Sequence, residues 1–487
     1  MLFNSYIFIL CFLPITLIAY YILNHKGKYE AGKALLLSMS LWFYGYFNIF
    51  YMVLLCLSIL LNYLLIHRMM KASEAGKRKV FLCIAVLLDI GILFYYKYFD
   101  FVLDNVNAVL GTMLPLQDLL LPLGISFFTF QQLSLVVDCY KGKTPQYSLL
   151  DYAAYVTFFP QLIAGPIVLH SELIPQLCDK TKKKIQYDNI AKGLYGFSLG
   201  LAKKVLIADT FSKIVTVGYG DIAALDTTNA LITILCYTFQ VYFDFSGYCD
   251  MALGLGYLFN ITLPVNFNSP YKAASITEFW DRWHMTLTRF FTQYVYIPLG
   301  GNRKGKLRTY LNTLIVFFIS GVWHGANWTF ILWGSIYGVL MVLNKLFAKP
   351  LEKIPRCIRW VATFVIVNLL WVYFRANSIT DAHLMFKQIF AGSFGGVSDA
   401  FIETFGELTE VKVLHHLGLG SLLDVYPYVP LALFIVVMLV AVVTMRNTQE
   451  KLEHFAPDIK KLLVTVVLMV WCVLSLSGVS EFLYFNF

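Results

Sequence analysis

The chain has 487 residues, of which 59% are hydrophobic and only 14% are charged, and its mean hydropathy is +0.67. This balance is far from that of a soluble domain, so the sequence predicts an integral membrane protein. The formal charge of +9 comes from basic clusters between apolar runs. That arrangement is typical of a positive-inside bias, and we expect no nucleic-acid partner.

Apolar runs long enough to cross a hydrocarbon core recur along most of the chain. They lack the two-residue alternation of a membrane β-barrel, which excludes that class and predicts an all-α polytopic protein. We estimate about 11 to 13 transmembrane or re-entrant helices, with membrane lipid around them. The nine cysteines are scattered singly and read as small core residues, and we expect no metal site. Examples of the runs are 6–23, 80–96, 230–245, 311–331, 360–373, 429–443 and 462–476.

Charge sets the expected topology. The first run precedes the basic stretch HKGK at 25–28 and lacks a cleavage site, so we expect a retained helix with its N-terminus outside. Two further spans, split near Asn48, then lead to the basic stretch 68–79. The single run 153–169 separates two basic loops, which requires a re-entrant pair broken at Pro160 and at Gly165 and Pro166. The other clusters assigned to the cytoplasm are 180–184, 303–308 and 349–359.

One membrane domain, 1–487, accounts for the whole chain. We divide it into N-terminal helices (1–115), a core with re-entrant segments (116–376), an acidic extracytoplasmic segment (377–424) and C-terminal helices (425–487).

Two acids, Asp244 and Asp250, lie in a run of aromatic and small residues, FQVYFDFSGYCDMALG at 239–254. Because an unpaired carboxylate is costly in a membrane, we expect them to cap a helix break at Gly247 or to pair with Arg282 or Arg289. A proton or ion path is the alternative interpretation.

The stretch 277–303 is the densest mixture of polar and aromatic residues in the chain. On one helix, Trp280 and His284 would share a face. The stretch is too polar to face lipid and too apolar for a free loop, so we expect a re-entrant or interfacial helix that lines a cavity and ends at Pro298 and at Gly300 and Gly301.

His324 is the only one of nine histidines in a long run without charged residues, 310–344. It follows Arg308 by 16 residues, which on a straight helix places it about 24 Å from the inner boundary. Two interpretations remain open from the residues alone. One is a structural histidine bonded to a carbonyl or to Asn327, and the other is a general base.

Six stretches in order along the chain resemble the membrane-bound O-acyltransferase family, in the bacterial branch that acts on alginate or teichoic acid. The resemblance implies a ring of helices around a thinned centre, with a cytoplasmic entrance for the acyl donor and an outer funnel for the acceptor. The stretches are LPLGISFFTFQQLS (121–134), FFPQLIAGPI (158–167), FQVYFDFSGYCDMALGLGYLFNITLPVNFNSPY (239–271), EFWDRWHMTLTRFFTQYVYIPLGGNR (278–303), GVWHGANWTFILWG (321–334) and WVYFRA (371–376).

The resemblance also implies roles for single residues. His324, in WHGANW, corresponds to the catalytic histidine of the family, and His284 to its second motif histidine, which we expect to be catalytic by positioning the donor or assisting proton transfer. Acyl transfer from a thioester to an alcohol requires a base, a hydrogen-bond donor to the oxyanion, and proximity of the reactants. We expect the oxyanion or orienting donor to be Asn327 or Trp328. The residues expected to support the site or line the channel are Trp280, Trp283, Arg282 and Asp244.

The expected function is transfer of an acyl group, acetyl in the first place, in a multi-pass protein of the bacterial plasma membrane. The donor would be acetyl-CoA or an acyl carrier protein in the cytoplasm, with no bound cofactor. The acceptor would be an exported polysaccharide, reached with an extracytoplasmic acyltransferase partner. D-alanyl transfer to teichoic acid is the alternative within this class, and a proton-coupled transporter or flippase the alternative outside it.

The last residues, EFLYFNF, place Tyr484 among phenylalanines after the last span. These aromatic residues are typical of an interfacial belt. The FLYF stretch also resembles the end of a small peptide that accompanies the teichoic-acid enzymes. Tyr484 therefore has a second candidate role, as an acyl relay on the outer side.

Overall fold

The computed structural model describes residues 1–476 and 482–483, and the described part contains helices and no β-strand. The predicted all-α class is confirmed. Within these residues, five helices are long and apolar enough to cross a membrane: Phe8–His25, Ile49–Lys71, Ala75–Lys97, Trp328–Leu346 and Arg356–Arg375. The protein is thus a polytopic membrane protein, whereas the estimate of 11 to 13 spanning or re-entrant helices stays a prediction.

The N-terminal part is a series of antiparallel helices. The second and third are separated where predicted, because the side chain of Asn48 caps the third by accepting from the N–H of Phe50 at 2.8 Å. A π-helical turn, Phe8–Phe12, leads into the first helix. The helices are α1 (Leu13–His25), α2 (Tyr29–Gly45), α3 (Ile49–Lys71), α4 (Ala75–Lys97) and α5 (Phe99–Leu110).

The segment after α5 contains the predicted interruption. The chain leaves helical geometry at Phe158 and again after Leu162, so the run 153–169 contains two breaks. Its helices are short and deeply buried. They are α6 (Ile125–Tyr140), α7 (Leu149–Thr157), α8 (Phe159–Leu162) and α9 (His170–Cys178).

The centre of the core is one continuous helix of 32 residues, capped by Asp226. This helix is buried along most of its length. It packs on the helices just before it in the sequence and on the later helix Arg356–Arg375. The predicted break at Gly247 is wrong, because the helix continues through it. These helices are α10 (Tyr187–Ala202), a π-helical segment Lys203–Ala208, α11 (Asp209–Gly220) and α12 (Thr227–Leu258).

The stretch 277–303 is not one helix. It is divided at residues 281–284, where His284 adopts a left-handed conformation (φ 47°, ψ 49°) and begins a new helix. The predicted shared face of Trp280 and His284 is therefore wrong. The pieces are α13 (Ile276–Trp280), α14 (Met285–Phe291) and a π-helical segment Thr292–Tyr296.

The apolar run 311–331 is also divided. Its first helix ends at His324, and Asn327 caps the next one, which returns beside it. These helices and the following two are α15 (Lys306–His324), α16 (Trp328–Leu346), α17 (Ala348–Glu352) and α18 (Arg356–Arg375).

The C-terminal part begins with short helices in the acidic segment and ends with two apolar ones. It contains α19 (Ile379–Phe390), α20 (Asp399–Gly406), α21 (Thr409–Leu414), a π-helical turn His415–Leu419, α22 (Gly420–Val425), α23 (Val429–Thr444), α24 (Thr448–Glu453) and α25 (Ile459–Ser475).

Candidate active site

His324 is the last residue of α15, and the helix ends there because Gly325 takes an extended conformation (φ −166°, ψ 152°). A Cβ on Gly325 would overlap the ring of Phe330, so the turn requires glycine. The imidazole is 3% exposed and is enclosed by the rings of Trp323, Trp333 and Phe374, with centroids at 4.9, 5.1 and 5.2 Å. The histidine thus lies at a helix end within an aromatic enclosure.

A small pocket of about 20 Å³ opens beside this imidazole. Its wall is formed by the start of α6 and the end of α15, and includes Lys97, Ser126, Phe127, Ile163 and His324. A volume of this size accommodates roughly one water-sized group. The pocket therefore has room for one small group.

A larger cavity of about 740 Å³ lies where α4, α15 and α18 end. The topology expected from the basic clusters puts these helix ends on the outer side, and we call this space the outer cavity. Gly325, Ala326 and Asn327 line this cavity directly after His324, and Lys97 lines both the cavity and the small pocket. The end of α15 therefore lies between a small pocket and a wide cavity.

His284 is in a different environment. It is fully buried, lies in the wall of neither space, and its Nδ1 is 3.1 Å from Oδ1 of Asn266. The ring packs edge-on to Phe245 at 4.8 Å and lies 6.2 Å from Trp323. Trp323 is thus the ring between the two motif histidines.

The two predicted supporting tryptophans are buried near His324. Trp280 lies 5.7 Å from Trp333, whose ring contacts the imidazole. Trp283 packs at 5.0 Å from Trp371, which lies 6.0 Å from Trp333. Both belong to the aromatic packing behind the site, and neither lines the pocket or the cavity.

Three predicted polar residues are engaged elsewhere. The amide of Asn327 accepts from the N–H of Thr329 at 2.9 Å and donates to the carbonyl of Asn377 at 2.8 Å. The indole N–H of Trp328 donates to Asn105 at 2.9 Å, and this side chain is 54% exposed. In this arrangement neither group is directed at a carbonyl beside His324.

Arg282 likewise bonds within its own region of the chain. Its guanidinium contacts Glu278 at 3.1 Å and donates to the carbonyl of Asn268 at 3.1 Å. It lines neither the small pocket nor the outer cavity.

The pairing expected for the two acids of α12 is wrong. Asp244 pairs with Lys204 at 2.7 Å and Asp250 with Lys203 at 2.6 Å, whereas Arg289 pairs with Glu172. The two lysines lie on the π-helical segment that packs along α12. The sequence signal for them was the pair KK inside an apolar run.

The last described residues reach this region of the protein. The backbone N–H of Leu483 donates to Asp244 at 3.0 Å, and Leu483 lines the outer cavity. The ring of Phe482 is buried, 4.7 Å from the ammonium of Lys204. Tyr484 itself lies outside the described residues, so its role as a relay stays a prediction.

The model of MBOAT, the membrane-bound O-acyltransferase family, matches residues 10–380. The chain belongs to this family. Its residues 121–134, 158–167, 278–303 and 321–334, which carry the resemblance in the sequence, form the walls and aromatic packing around His324.

Relatives within this family differ in how much of the chain they match. The chain is 38% identical to a peptidoglycan O-acetyltransferase of Helicobacter pylori over 524 aligned residues, covering 100% of this chain and 98% of that protein. It is 37% identical to a probable alginate O-acetylase, AlgI, of Pseudomonas aeruginosa, covering 81% of this chain and 75% of that protein. A teichoic acid D-alanyltransferase of Bacillus subtilis is 26% identical, covering 75% of this chain and 94% of that protein.

As a member of this family the protein is an acyltransferase. The site offers an imidazole beside a small pocket and an ammonium, that of Lys97, in the same wall. Sequence reasoning did not single out Lys97, because it follows an apolar run and resembles an ordinary interfacial lysine. The sequence signal was its position within the aromatic stretch YYKYF, 95–99.

Proposed function

We propose that this acyltransferase moves acetyl groups from a cytoplasmic thioester to hydroxyl groups of an exported cell-wall glycan, in the plasma membrane of a bacterium. The donor is acetyl-CoA or an acetylated carrier protein. The observation that carries the proposal is the position of His324, which lines the small pocket while the next three residues line the outer cavity. A base at this point meets a donor on one side and an acceptor on the other.

The chemistry assigned to His324 is general-base catalysis. The acceptor oxygen attacks the thioester carbonyl carbon and its proton passes to the imidazole. The tetrahedral intermediate then collapses, the C–S bond breaks, and the imidazolium returns the proton to the thiolate. The products are the ester and the free thiol, and only groups of the protein and the substrates are required.

Peptidoglycan is the first acceptor to test, since the full-length relative carries that name and the similarity extends over its C-terminal region. The D-alanyl alternative rests on a more distant relative. A proton relay through Asp244 and Asp250 receives less support, because each carboxylate is paired with a lysine.

The donor is identified with full-length protein in proteoliposomes. It is offered [14C]acetyl-CoA, acetylated carrier protein or D-alanylated carrier protein. We expect loss of label from an acetyl donor, abolished in His324→Ala and retained in His383→Ala, whose histidine is exposed on α19. Equal loss of label in His324→Ala would contradict the proposed base. Consumption of the D-alanylated donor alone would favour the teichoic-acid alternative.

An extracytoplasmic acyltransferase is the proposed partner, with Tyr484 as the relay that passes the acetyl group to it. Leu483 in the cavity wall supports this placement. Tyr484→Phe keeps the ring and removes the hydroxyl. We expect the O-acetyl content of peptidoglycan in cells to fall at unchanged protein level, with Phe485→Leu as the control. Unchanged acetylation in Tyr484→Phe would leave this residue as an interfacial anchor.

A further inference from the structure

The side chain of Lys97 lies at the end of α15 that carries His324. This lysine ends α4, and its Nζ donates to the carbonyl of Trp323 at 2.6 Å and to the carbonyl of His324 at 3.1 Å. The ammonium is therefore held on the backbone of the proposed base itself. It lies in the wall of the same pocket as the imidazole.

The partners of this ammonium distinguish it from the two lysines that pair with the acids of α12. Lys203 and Lys204 each contact a carboxylate. In the part of the chain that the structure describes, Nζ of Lys97 is hydrogen-bonded to neutral oxygens only. A half-buried cation without a carboxylate partner is costly, although the ring of Trp323 lies 5.7 Å from Nζ. The negative end of the α15 dipole compensates part of this cost.

The third N–H of the ammonium is held loosely. It is directed to Oγ of Ser126 at 3.4 Å, beyond the usual hydrogen-bond range, whereas the two bonds to α15 fix the position of Nζ. Ser126 also lines the pocket. A negatively charged oxygen in the pocket would therefore replace Ser126 as the acceptor of this N–H.

We propose that Lys97 is a catalytic residue that stabilises the oxyanion formed on the thioester carbonyl during acyl transfer. This inference rests on the proposed function of His324. When the acceptor oxygen bonds to the carbonyl carbon, the π electron pair moves onto the carbonyl oxygen and the proton goes to His324. Lys97 keeps its own protons and donates one N–H to the oxyanion, until the C–S bond breaks and the carbonyl re-forms.

Asn327 and Trp328, the donors expected for this task, are bonded to Thr329, Asn377 and Asn105 instead. In our proposal Lys97, rather than these two residues, donates the hydrogen bond to the oxyanion. A purely structural role would be to cap the carbonyls at the end of α15. The neighbouring Tyr98 has only such a structural role. Its hydroxyl carries no charge and donates to the carbonyl of Val322 at 2.9 Å.

The test compares Lys97→Met, Lys97→Gln and Lys97→Arg with Tyr98→Phe in the full-length protein. Glutamine keeps an N–H donor for the carbonyls and removes the charge, and arginine keeps the charge. Turnover of [14C]acetyl-CoA is measured in proteoliposomes and the O-acetyl content of peptidoglycan in cells, so that the comparison does not depend on one donor. Thermal unfolding is recorded for each variant.

We expect Lys97→Met and Lys97→Gln to lower kcat by about 10²–10³, with KM for the donor and the unfolding temperature close to those of the wild type. Lys97→Arg should recover part of kcat, and Tyr98→Phe should keep kcat within threefold. Full activity of Lys97→Gln, or equal losses in Lys97→Met and Tyr98→Phe that follow the unfolding temperature, would overturn the proposal in favour of capping. His324→Ala in the same assays separates this failure from failure of the proposed base.

Discussion

The two motif histidines lie on either side of Trp323, and their surroundings differ in kind. His324 faces a pocket, and the residues after it line the outer cavity. His284 is enclosed by protein, and Asn266, its partner, also accepts from the N–H and hydroxyl of Thr286. Because a base must reach its substrate, this difference supports the proposed base at His324, and it favours a supporting role for His284 over the catalytic role expected from the resemblance.

We call Lys97, His324 and residues 325–327 the cavity region. The supporting region comprises the cluster of Asn266, His284 and Thr286 together with the ion pair of Lys204 and Asp244. Changes at His324 and Lys97 should reduce turnover and leave stability intact, whereas Gly325 and Asn327 also hold the turn between α15 and α16. Changes in the supporting region should reduce both together.

The largest effect is expected at His324. His324→Gln keeps most of the side-chain volume and removes the base, so turnover should fall by about 10²–10⁴ with an unchanged unfolding temperature. Acetyl transfer by proteoliposomes and thermal unfolding measure the two quantities. A fall in unfolding temperature that accounts for the lost turnover would place His324 in the supporting region.

Lys204 tests the supporting region directly. Lys204→Met leaves the carboxylate of Asp244 without this cation in a site where both side chains are 2% exposed, so the free energy of unfolding should fall by about 3–5 kcal/mol. Lys203→Met is the matched control, because its pair with Asp250 is 16% and 13% exposed, and it should cost less. Unfolding in mixed micelles measures both. Equal stability of the two variants would contradict the difference in burial.

His284→Ala should be destabilising by a smaller amount. The contact with Asn266 is lost, which costs about 0.5–1.5 kcal/mol, and alanine is less frequent than histidine in the left-handed conformation of this position. His284→Asn, which tolerates this conformation, should recover part of the unfolding temperature. If His284→Ala unfolds like the wild type and has no turnover, then His284 belongs to the chemistry and the division between the regions is wrong.

Trp328→Phe should have the smallest effect. It removes one exposed hydrogen bond to Asn105, so stability should change by less than about 1 kcal/mol and turnover by less than twofold. A tenfold loss of turnover at normal stability would make Trp328 an oxyanion donor after all, and would extend the cavity region to α16.

Local signals in the sequence were sufficient for part of this account. A histidine within 35 uncharged residues indicated His324, which the structure places in a pocket wall while its catalytic role stays a prediction. Asn48 marked a helix boundary because its side chain caps α3. The family membership, read from six stretches, was confirmed. These features depend on composition or on residues that are neighbours in the chain, so they can be read from the sequence alone.

Features that depend on packing between distant helices were missed. Gly247 was interpreted as a helix break, but a Cβ there would lie 2.8 Å from the carbonyl of Gly200, so this glycine allows two helices to approach closely. The same approach brings Lys203 and Lys204 to the acids of α12, a pairing that no local pattern reveals. The break before His284 contains neither glycine nor proline, so nothing in the residues 281–284 announced it.

Acetyl transfer across the membrane through His324 is the central claim, and sidedness tests it most directly. Sealed inside-out vesicles with wild-type protein, His324→Gln or His383→Ala receive [14C]acetyl-CoA or acetylated carrier protein on the exposed cytoplasmic face, with a soluble peptidoglycan fragment and the extracytoplasmic acyltransferase inside. We predict acetylated fragment in the lumen for the wild type and His383→Ala, and none for His324→Gln. Acetylated fragment formed equally in His324→Gln vesicles would contradict the account.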